Sequence, residues 1–557
     1  MSYSHFISRV LLVIPVLLVG TAVLYYANNL PYWDDYMVQE HLLKLRSIPS
    51  TWLRFDHLFD QHWEHRIIWT RLVFGSYFLL TGSLNYVGLT FIGFLGLLGG
   101  LGVLYAAYRR IRTGDSAVPL AYFLPVPFLM LTLQSYENLL WSMASLQHFY
   151  VLFFGLGVYY LLALPGRYNW LAGLALALLA GVTSGNGLLV PVAAVAVLAC
   201  QNRPWPVLLS WSLATALLFL AYFYHYQRID FFPAAHRYAY TEWVKSFFVF
   251  LGGYGAPFPY ASSSLLGTTS IIKLTFALGF LLAAAIALLL FISLRTLTRT
   301  NRHFWASFFM GSILFLLGTA LLTVYTRVGF DGALYMLQGR YRIYSALAIS
   351  LTYLYGLSLL QPEARRRAVA GGVTLLVLPY SLFTSYLCLD GLLDQHRRTI
   401  AAYYNYLVQT PAGQQRAIQT VFRPTSEPFF MPDTAQIRRL NWRTAPTTTR
   451  IDSVQEHLHF FHLLKTDAVN PSLTQPDDGS YVLALNDTHT YLFAAKPERR
   501  SLMAVSGFAD YFLPNRLGAL VPKESMAPGT YRLGFLVRQG GTNQLLLSDR
   551  FITNTGL

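Results

Sequence analysis

Two aspartates stand side by side, Asp34 and Asp35, in the stretch Pro31-Tyr32-Trp33-Asp34-Asp35-Tyr36, about one turn beyond a long apolar run. Adjacent carboxylates next to a bilayer repel each other, so one of them acquires a raised pKa unless a cation or a metal sits nearby. A general base with an electrostatic partner needs that arrangement. The competing structural reading is a helix cap: Asp35 precedes a helix-like Tyr36–Leu45, and the aromatic residues beside it suit an interfacial belt. Asp34 is nearer the apolar run and therefore the drier of the two. It is the first choice as base, with Asp35 as the partner that positions it or binds a metal.

The same polar stretch later reads Gln61-His62-Trp63-Glu64-His65-Arg66. His62 and Glu64 are spaced to serve as two ligands of a divalent ion if the segment is extended, since residues two apart do not share a helix face. The plain alternative is a solvated helix start, with Glu64 favoured by the helix dipole. Glu137 stands out farther along because Tyr136 and Leu139–Trp141 around it are apolar. The run Gln338-Gly339-Arg340-Tyr341-Arg342 opens another apolar stretch, after a glycine that lets a headgroup approach the backbone. An arginine fork at headgroup depth suits a bidentate grip on phosphate. Arg340 and Arg342 lie roughly 200° apart on a helix, so they share one phosphate only if the span is not yet helical there.

The elements that must position these residues follow from composition. The chain has 557 residues, of which 54% are apolar and only 12% charged, with a mean hydropathy of +0.42. Soluble domains carry about 25% charged residues, so this is a polytopic membrane protein with a polar tail. Apolar runs long enough to cross a membrane fall at Val10–Tyr26, Tyr86–Tyr108, Val118–Leu133, Leu146–Leu164, Val207–Tyr224, Ile271–Leu294, Phe304–Tyr325, Ile343–Leu360 and Ala368–Tyr386. Asn169–Val182 and Leu188–Cys200 add two short spans or one re-entrant hairpin. The expected total is about 11 transmembrane helices, or 9 plus a hairpin. His65–Leu80 contains Arg66 and Arg71 and reads as an interfacial helix with snorkelling arginines.

The basic residues set the orientation. Arg9, Arg109, Arg110, Arg112, Arg167, Arg203, Arg295, Arg299, Arg302 and Arg365–Arg367 all fall in alternate loops, with only Asp115 and Glu363 against them. The positive-inside rule makes those loops cytoplasmic. The net charge of +15 is then mostly a topology signal, and no nucleic-acid partner is expected. The N-terminus is cytoplasmic, and the first loop, about Ala27–Asn85, and residues 387–557 are outside. The localisation is integral to the cell inner or plasma membrane. Two cysteines, Cys200 and Cys388, on opposite sides, exclude a disulfide scaffold.

The tail divides into a connecting segment, 387–478, and a β-rich outer domain, 479–557. Tyr481–Leu485, Tyr491–Ala494, Leu502–Ser506, Thr530–Val537 and Leu545–Ile552 read as strands separated by turns, which suggests a small β-sandwich. His457, His459 and His462 do not share a helix face cleanly and make an unlikely metal site.

This pattern resembles the GT-C superfamily of integral-membrane glycosyltransferases, the polyprenyl-phosphate-sugar-dependent class, over about residues 1–386. The features are Trp33-Asp34-Asp35 directly after the first span, a long first outer loop with interfacial helices, Glu64-His65-Arg66 where many relatives have His-Pro-Pro, Arg340-Tyr341 opening a late span, and a soluble outer tail. The resemblance implies inverting transfer of a sugar from a polyprenyl-phosphate-linked donor to a glycan, lipid or protein acceptor at the outer face. Asp34 or Asp35 would deprotonate the acceptor. Arg340, with Tyr341 and Arg342, would hold the lipid phosphate. His62, Glu64, His65 and Glu137 would support the site or an acceptor or metal. Some members use a divalent metal such as Mg or Mn and others none, and the sequence leaves the metal open. The alternative function is a multi-pass envelope transport or assembly protein, or a lipid flippase. Transporters usually carry internal repeats and midplane charges; here the charges cluster at the outer boundary.

Overall fold

The computed structural model describes residues 3–113, 116–229, 238–259, 268–300, 303–424, 442–457, 460–466, 475–499 and 512–556. The expected strand Leu502–Ser506, and residues Asp115, Asp230, His236, Arg237, Arg302 and His459, lie outside them.

Apolar length dictates the long helices. α1 (Tyr3–Tyr26) leads into three short helices of the first loop, α2 (Asp35–Ser47), α3 (Thr51–Leu58) and α4 (Ile68–Thr81). α5 (Tyr86–Tyr108) is followed by a two-residue hairpin, β1 (Arg112–Thr113) and β2 (Ser116–Ala117), and by the fragments α6 (Pro125–Met130) and α7 (Tyr136–Leu140). Then come α8 (Ser142–Ala163), α9 (Asn169–Gly181), α10 (Leu189–Cys200), α11 (Trp205–Phe223), α12 (Tyr240–Leu251) and α13 (Thr268–Thr300). α14 (Phe304–Tyr335), α15 (Gly339–Leu359) and α16 (Glu363–Gln409) complete the bundle, and α17 (Ala412–Gln419) begins the tail.

Seven of these helices, among the described residues, are long and apolar enough to cross a membrane: α1, α5, α8, α11, α13, α14 and α16. That is fewer than the eleven expected, for three reasons. α9 and α10 have 13 and 12 residues, about 20 Å at 1.5 Å per residue against a hydrocarbon core of about 30 Å. α15 is diluted by polar residues such as Arg340, Arg342 and Ser345. The run Val118–Leu133 is not one helix, because Pro125 and Pro127 break it into 3₁₀ and α fragments.

The broken run nevertheless carries the chain across the bundle. α5 and α8 are parallel: the Tyr86 carbonyl accepts from the Ser142 hydroxyl at 3.0 Å, Gly93 packs on Ser145, Gly96 on Tyr150 and Gly99 on Phe153. Two parallel helices require a return between them. Residues 122–136 supply it and are buried throughout, as irregular backbone at membrane depth must be. The consequence is that the first loop and the tail share one end of the bundle. Arg109, Arg110, Arg203 and Arg365–Arg367 gather at the other, where the Arg110 guanidinium lies 5.7 Å from the Phe304 ring centroid.

α9 and α10 form a hairpin whose tip, Ser184–Leu188, reaches the first-loop end. The Val182 carbonyl accepts from Trp69 N at 3.1 Å, and the Gly185 backbone lies against His65. The stretch His65–Leu80 is helical from Ile68, a helix of interfacial length, but its arginines do not snorkel. Arg66 and Arg71 are 7% and 6% exposed, and their guanidinium groups donate to the carbonyls of Phe59, Tyr222 and Tyr224 and of Leu58 and Asp60. Carbonyls at frayed helix ends are the acceptors a buried guanidinium needs.

α12 was not legible as an element. It packs backbone to backbone on α13, where a Cβ at Gly279 would lie 1.8 Å from the Phe248 carbonyl oxygen. A carbonyl cannot step aside, so Gly279→Ala is expected to destabilise the protein by about 1–3 kcal/mol. Thermal unfolding in detergent should show a lowered Tm; an unchanged Tm would mean that α12 is not held there.

α16 runs 47 residues without interruption, about 70 Å, more than twice the hydrocarbon thickness. The expected span Ala368–Tyr386 is only part of this helix, which continues into the stretch read as connecting, to Gln409. Its upper half carries the tail: the Asn405 side chain bonds both sides of the Leu492 peptide, at 2.9 and 2.7 Å. Among the described residues the tail holds one seven-stranded antiparallel sheet, a half-barrel, where a two-sheet sandwich was expected. Its strands are β3 (Ser453–Glu456), β4 (Phe460–Lys465), β5 (Gly479–Leu485), β6 (Thr490–Arg499), β7 (Phe512–Pro522), β8 (Gly529–Gln539) and β9 (Thr542–Asn554). Their order is β3-β4-β7-β6-β5-β8-β9. β3 and β4 arise inside the stretch read as connecting. β5 is buried on both faces: Tyr481, Leu483 and Leu485 pack with Tyr32, Tyr86 and Tyr404 of the first loop and bundle, while Val482 and Ala484 point into the half-barrel.

Candidate functional site at the first-loop end of the bundle

The adjacent aspartates take different roles. Helix α2 begins at Asp35, which puts Asp34 at the N-cap, yet the Asp34 side chain makes no capping bond. Asp35 is 1% exposed, and both of its oxygens accept backbone N–H groups, from Tyr32 at 3.2 Å and from Met143 at 3.0 Å. It ties the start of α2 to the start of α8. Burial pushes the Asp35 carboxyl well above the usual range, against the pull of those two donors. Asparagine offers one acceptor and one donor where two acceptors are needed. Asp35→Asn is therefore expected to lower stability by about 1–3 kcal/mol, read as a loss of folded protein on heating in detergent. Survival at wild-type Tm would show that the two N–H groups find other partners.

The Asp34 carboxylate is instead turned toward the site. Burial raises its pKa above the ordinary carboxylate value. The charges of Arg340 and Arg327 and a hydrogen bond from the Trp63 indole act in the opposite direction. His62 Nε2 lies 4.0 Å from Asp34 Oδ2. Burial, reinforced by the nearby Arg71 charge, lowers His62 to about 3; burial lowers His65 to about 4 although Asp34 pulls it up. Both imidazoles are neutral at pH 7.

His62 to His65 form a tight turn closed by two reciprocal bonds, His62 N to the His65 carbonyl at 2.7 Å and His65 N to the His62 carbonyl at 2.8 Å. Trp63 inside it has φ 48°, and Trp33 beside Asp34 has φ 46°. A bulky side chain in the left-handed region is strained, and such strain collects at functional sites. The turn presents Glu64 to Arg327 as an ion pair and sets its carboxylate 3.4 Å from His65 Nε2. Trp33 is 59% exposed, stacks on Tyr32 at 5.7 Å between centroids and meets Trp141 edge-on at 5.8 Å, an aromatic shelf beside Asp34.

Arg340 enters from α15. Its backbone N–H donates to Glu137 Oε2 at 3.2 Å and its carbonyl accepts from Asn138 Nδ2 at 3.0 Å, so Glu137 caps and places the helix start. The guanidinium donates to the Tyr335 hydroxyl at 2.9 Å and lies 5.2 Å from the Tyr341 ring centroid. Arg340 and Arg327 both lie beside the Tyr341 hydroxyl. Among the described residues no carboxylate forms an ion pair with the Arg340 guanidinium. Contrary to the expectation from the sequence, Gly339 does not open the backbone to a headgroup. It lets α15 pass Tyr136 and the Gln134 carbonyl, which a Cβ would approach to 3.0 and 3.3 Å.

Arg342 faces elsewhere. It is 2% exposed and bonds the carbonyls of Leu337 and Ala256 at 3.0 and 2.9 Å. The helix is already formed at Gly339, so the 200° separation holds. The second guanidinium near Arg340 is Arg327 of α14, which the sequence reading left out of the site. α14 breaks just beyond it: Gly332 has φ 53°, its Cβ position lies 2.6 Å from Glu242 Oε1, and that oxygen accepts from Ala333 N at 2.8 Å. Below the arginines, the Tyr344 hydroxyl bonds His148 Nδ1 at 2.8 Å and Asn186 Nδ2 at 3.2 Å, the latter from the hairpin tip.

Asp34, His62, Glu64, His65, Arg327, Arg340, Tyr341 and Glu137 thus converge at one end of the bundle, and Asp35 and Arg342 do not face them. Carboxylate oxygens are ligands that a hard divalent ion accepts, but here Asp34 is engaged by Trp63 and Glu64 by Arg327. A shallow apolar groove lined by Leu18, Tyr25, Leu133, Leu382 and Tyr386 opens sideways between α1 and α16. No protein-family model, curated protein or solved structure matches this chain, so the arrangement of these side chains carries the functional argument.

Proposed function

We propose that this chain is a glycosyltransferase that moves a sugar from a polyprenyl-phosphate-linked donor to an acceptor hydroxyl at the outer face of the membrane, with inversion. The observation that supports this reading is the convergence at one end of the bundle of a half-buried carboxylate, Asp34, that caps no helix and a guanidinium, Arg340, whose charge favours the ionised form of Asp34 and which bonds the Tyr335 hydroxyl.

In the proposed reaction Asp34 takes the proton of the acceptor hydroxyl. The acceptor oxygen forms a bond to the anomeric carbon as the bond from that carbon to the phosphate oxygen breaks. The electron pair leaves with the phosphate, where Arg340 meets the growing charge. That contact strengthens toward the transition state and so accelerates the step. A single displacement inverts the anomeric centre. The groove between α1 and α16 offers the lipid tail an apolar path at bilayer depth. The basic ends of the bundle are cytoplasmic by the positive-inside rule, which puts Asp34 and the tail outside.

The test is turnover by purified protein in nanodiscs with a panel of polyprenyl-phosphate sugars, following release of free polyprenyl phosphate. Release that requires Asp34 supports the reading. Translocation of the same lipids between leaflets with no cleavage, unaffected by Asp34→Asn, would favour a flippase and reject the transferase.

A further inference from the structure

A second cluster lies in the first loop. His41 is on α2, His57 is at the end of α3, and Asp60 follows two residues after α3 ends. One potential ligand atom from each lies within 4.8 Å of the other two. The two imidazoles stack with centroids 4.0 Å apart and planes 20° from parallel. His57 Nδ1 contacts the Asp60 carboxylate. His41 Nε2 is buried and has no hydrogen-bond partner. His57 is 7% exposed, whereas the Asp60 side chain is 47% exposed.

We propose that His41, His57 and Asp60 bind one divalent transition-metal ion of the zinc class. Two imidazole nitrogens and one carboxylate oxygen form a three-ligand set that leaves a fourth position, on the exposed Asp60 side, for water. Nitrogen donors favour Zn²⁺ or Co²⁺ over Mg²⁺ and Ca²⁺, which take oxygen. Bonds of about 2.0–2.2 Å bring the ligand atoms closer together than they stand here. Closing that gap requires Asp60 to rotate away from its direct contact with His57 and the His41 ring to tilt. The Asp60 carboxylate offsets one of the two charges that the ion brings. Arg71 and Lys44 also act on His41. Arg71 donates to the Leu58 and Asp60 carbonyls, so its charge is fixed on the backbone side of the site.

The ion would clasp α2 to α3 and to the segment leading into the His62–His65 turn. Asp34 stands at the start of α2 and Glu64 in that turn, so the clasp holds both shoulders of the candidate site. The proposal does not rest on the transferase reading, because its readout is the metal itself.

The experiment uses full-length protein in detergent, stripped with a chelator and titrated with Co²⁺. The expected result is one equivalent of Co²⁺ per chain with the visible absorption of a low-coordinate nitrogen–oxygen site, displaced by Zn²⁺. His57→Ala should abolish the signal, and Asp60→Asn, an exposed position that preserves folding, should weaken binding at least tenfold. Asp34→Asn should leave it unchanged. Absence of the Co²⁺ signal in folded wild-type protein, or a signal that survives Asp60→Asn undiminished, would overturn the assignment. Loss of the signal in Asp34→Asn would place the ion in the Asp34 site and overturn it as well.

Discussion

Asp34→Asn is expected to reduce sugar transfer by about 10²–10⁴-fold, the usual contribution of a positioned general base, while the protein still inserts and folds. The fold should survive because the Asp34 side chain makes no capping bond to α2; Asp35 supplies the structural tie. The pH profile carries a second signature. A base must be ionised, so activity rises with pH through the Asp34 pKa. Burial has moved that pKa above the ordinary carboxylate value, and the acid limb should lie correspondingly higher than for an exposed aspartate. The Trp63 indole stabilises the ionised form, so Trp63→Phe should move the limb further up while leaving the plateau largely intact. If Asp34→Asn turned over normally, or if the limb fell at or below the ordinary carboxylate value, Asp34 would not be the base.

Arg340→Ala is expected to cost about 10²–10³-fold in turnover, comparable to removing a preorganised oxyanion donor. Arg340→Lys should fall between, since lysine keeps the charge and loses the planar fork. Arg342→Ala should behave differently in kind. Its side chain bonds two carbonyls and is almost fully buried, so its loss should appear as lowered stability with the rate per folded molecule preserved. Measuring turnover per folded protein separates the two. Full activity of Arg340→Ala would end the lipid-phosphate reading. Loss of turnover in folded Arg342→Ala would relocate the phosphate.

The contrast between these two arginines shows what was legible in the sequence. The helical phase of Arg340 and Arg342 could be computed from their spacing, and it predicts the divergence that the structure has. The partner guanidinium, Arg327, sits beside Arg340 only because α14 breaks at Asp331 and Gly332, and neither hydropathy nor spacing reports a break inside an apolar run. The same blindness affected Val118–Leu133, where averaged hydropathy hid the effect of Pro125 and Pro127. The parallel packing of α5 and α8, which makes that run cross, depends on contacts about 50 residues apart in sequence. Asp34 and Asp35 were legible as a pair, but their division of labour was not: it rests on the Met143 N–H, delivered by the remote start of α8. His41 and His57 escaped notice because sixteen residues and a helix–helix corner separate them. In the tail, β5 could be read as a continuous apolar run because it is buried on both faces. β4 could not, because His462 and the neighbouring His457 and His459 drew attention away from an alternating strand.

The most direct measurement for the central claim is a cryo-electron microscopy structure of the full chain in a nanodisc containing polyprenyl phosphate. The account predicts phosphate density within hydrogen-bonding reach of the Arg340 guanidinium, with the Asp34 carboxylate facing the same cavity and the lipid tail leaving toward the bilayer. Phosphate bound at another part of the bundle, or a packed interior between Asp34 and Arg340 with no cavity for it, would contradict the account.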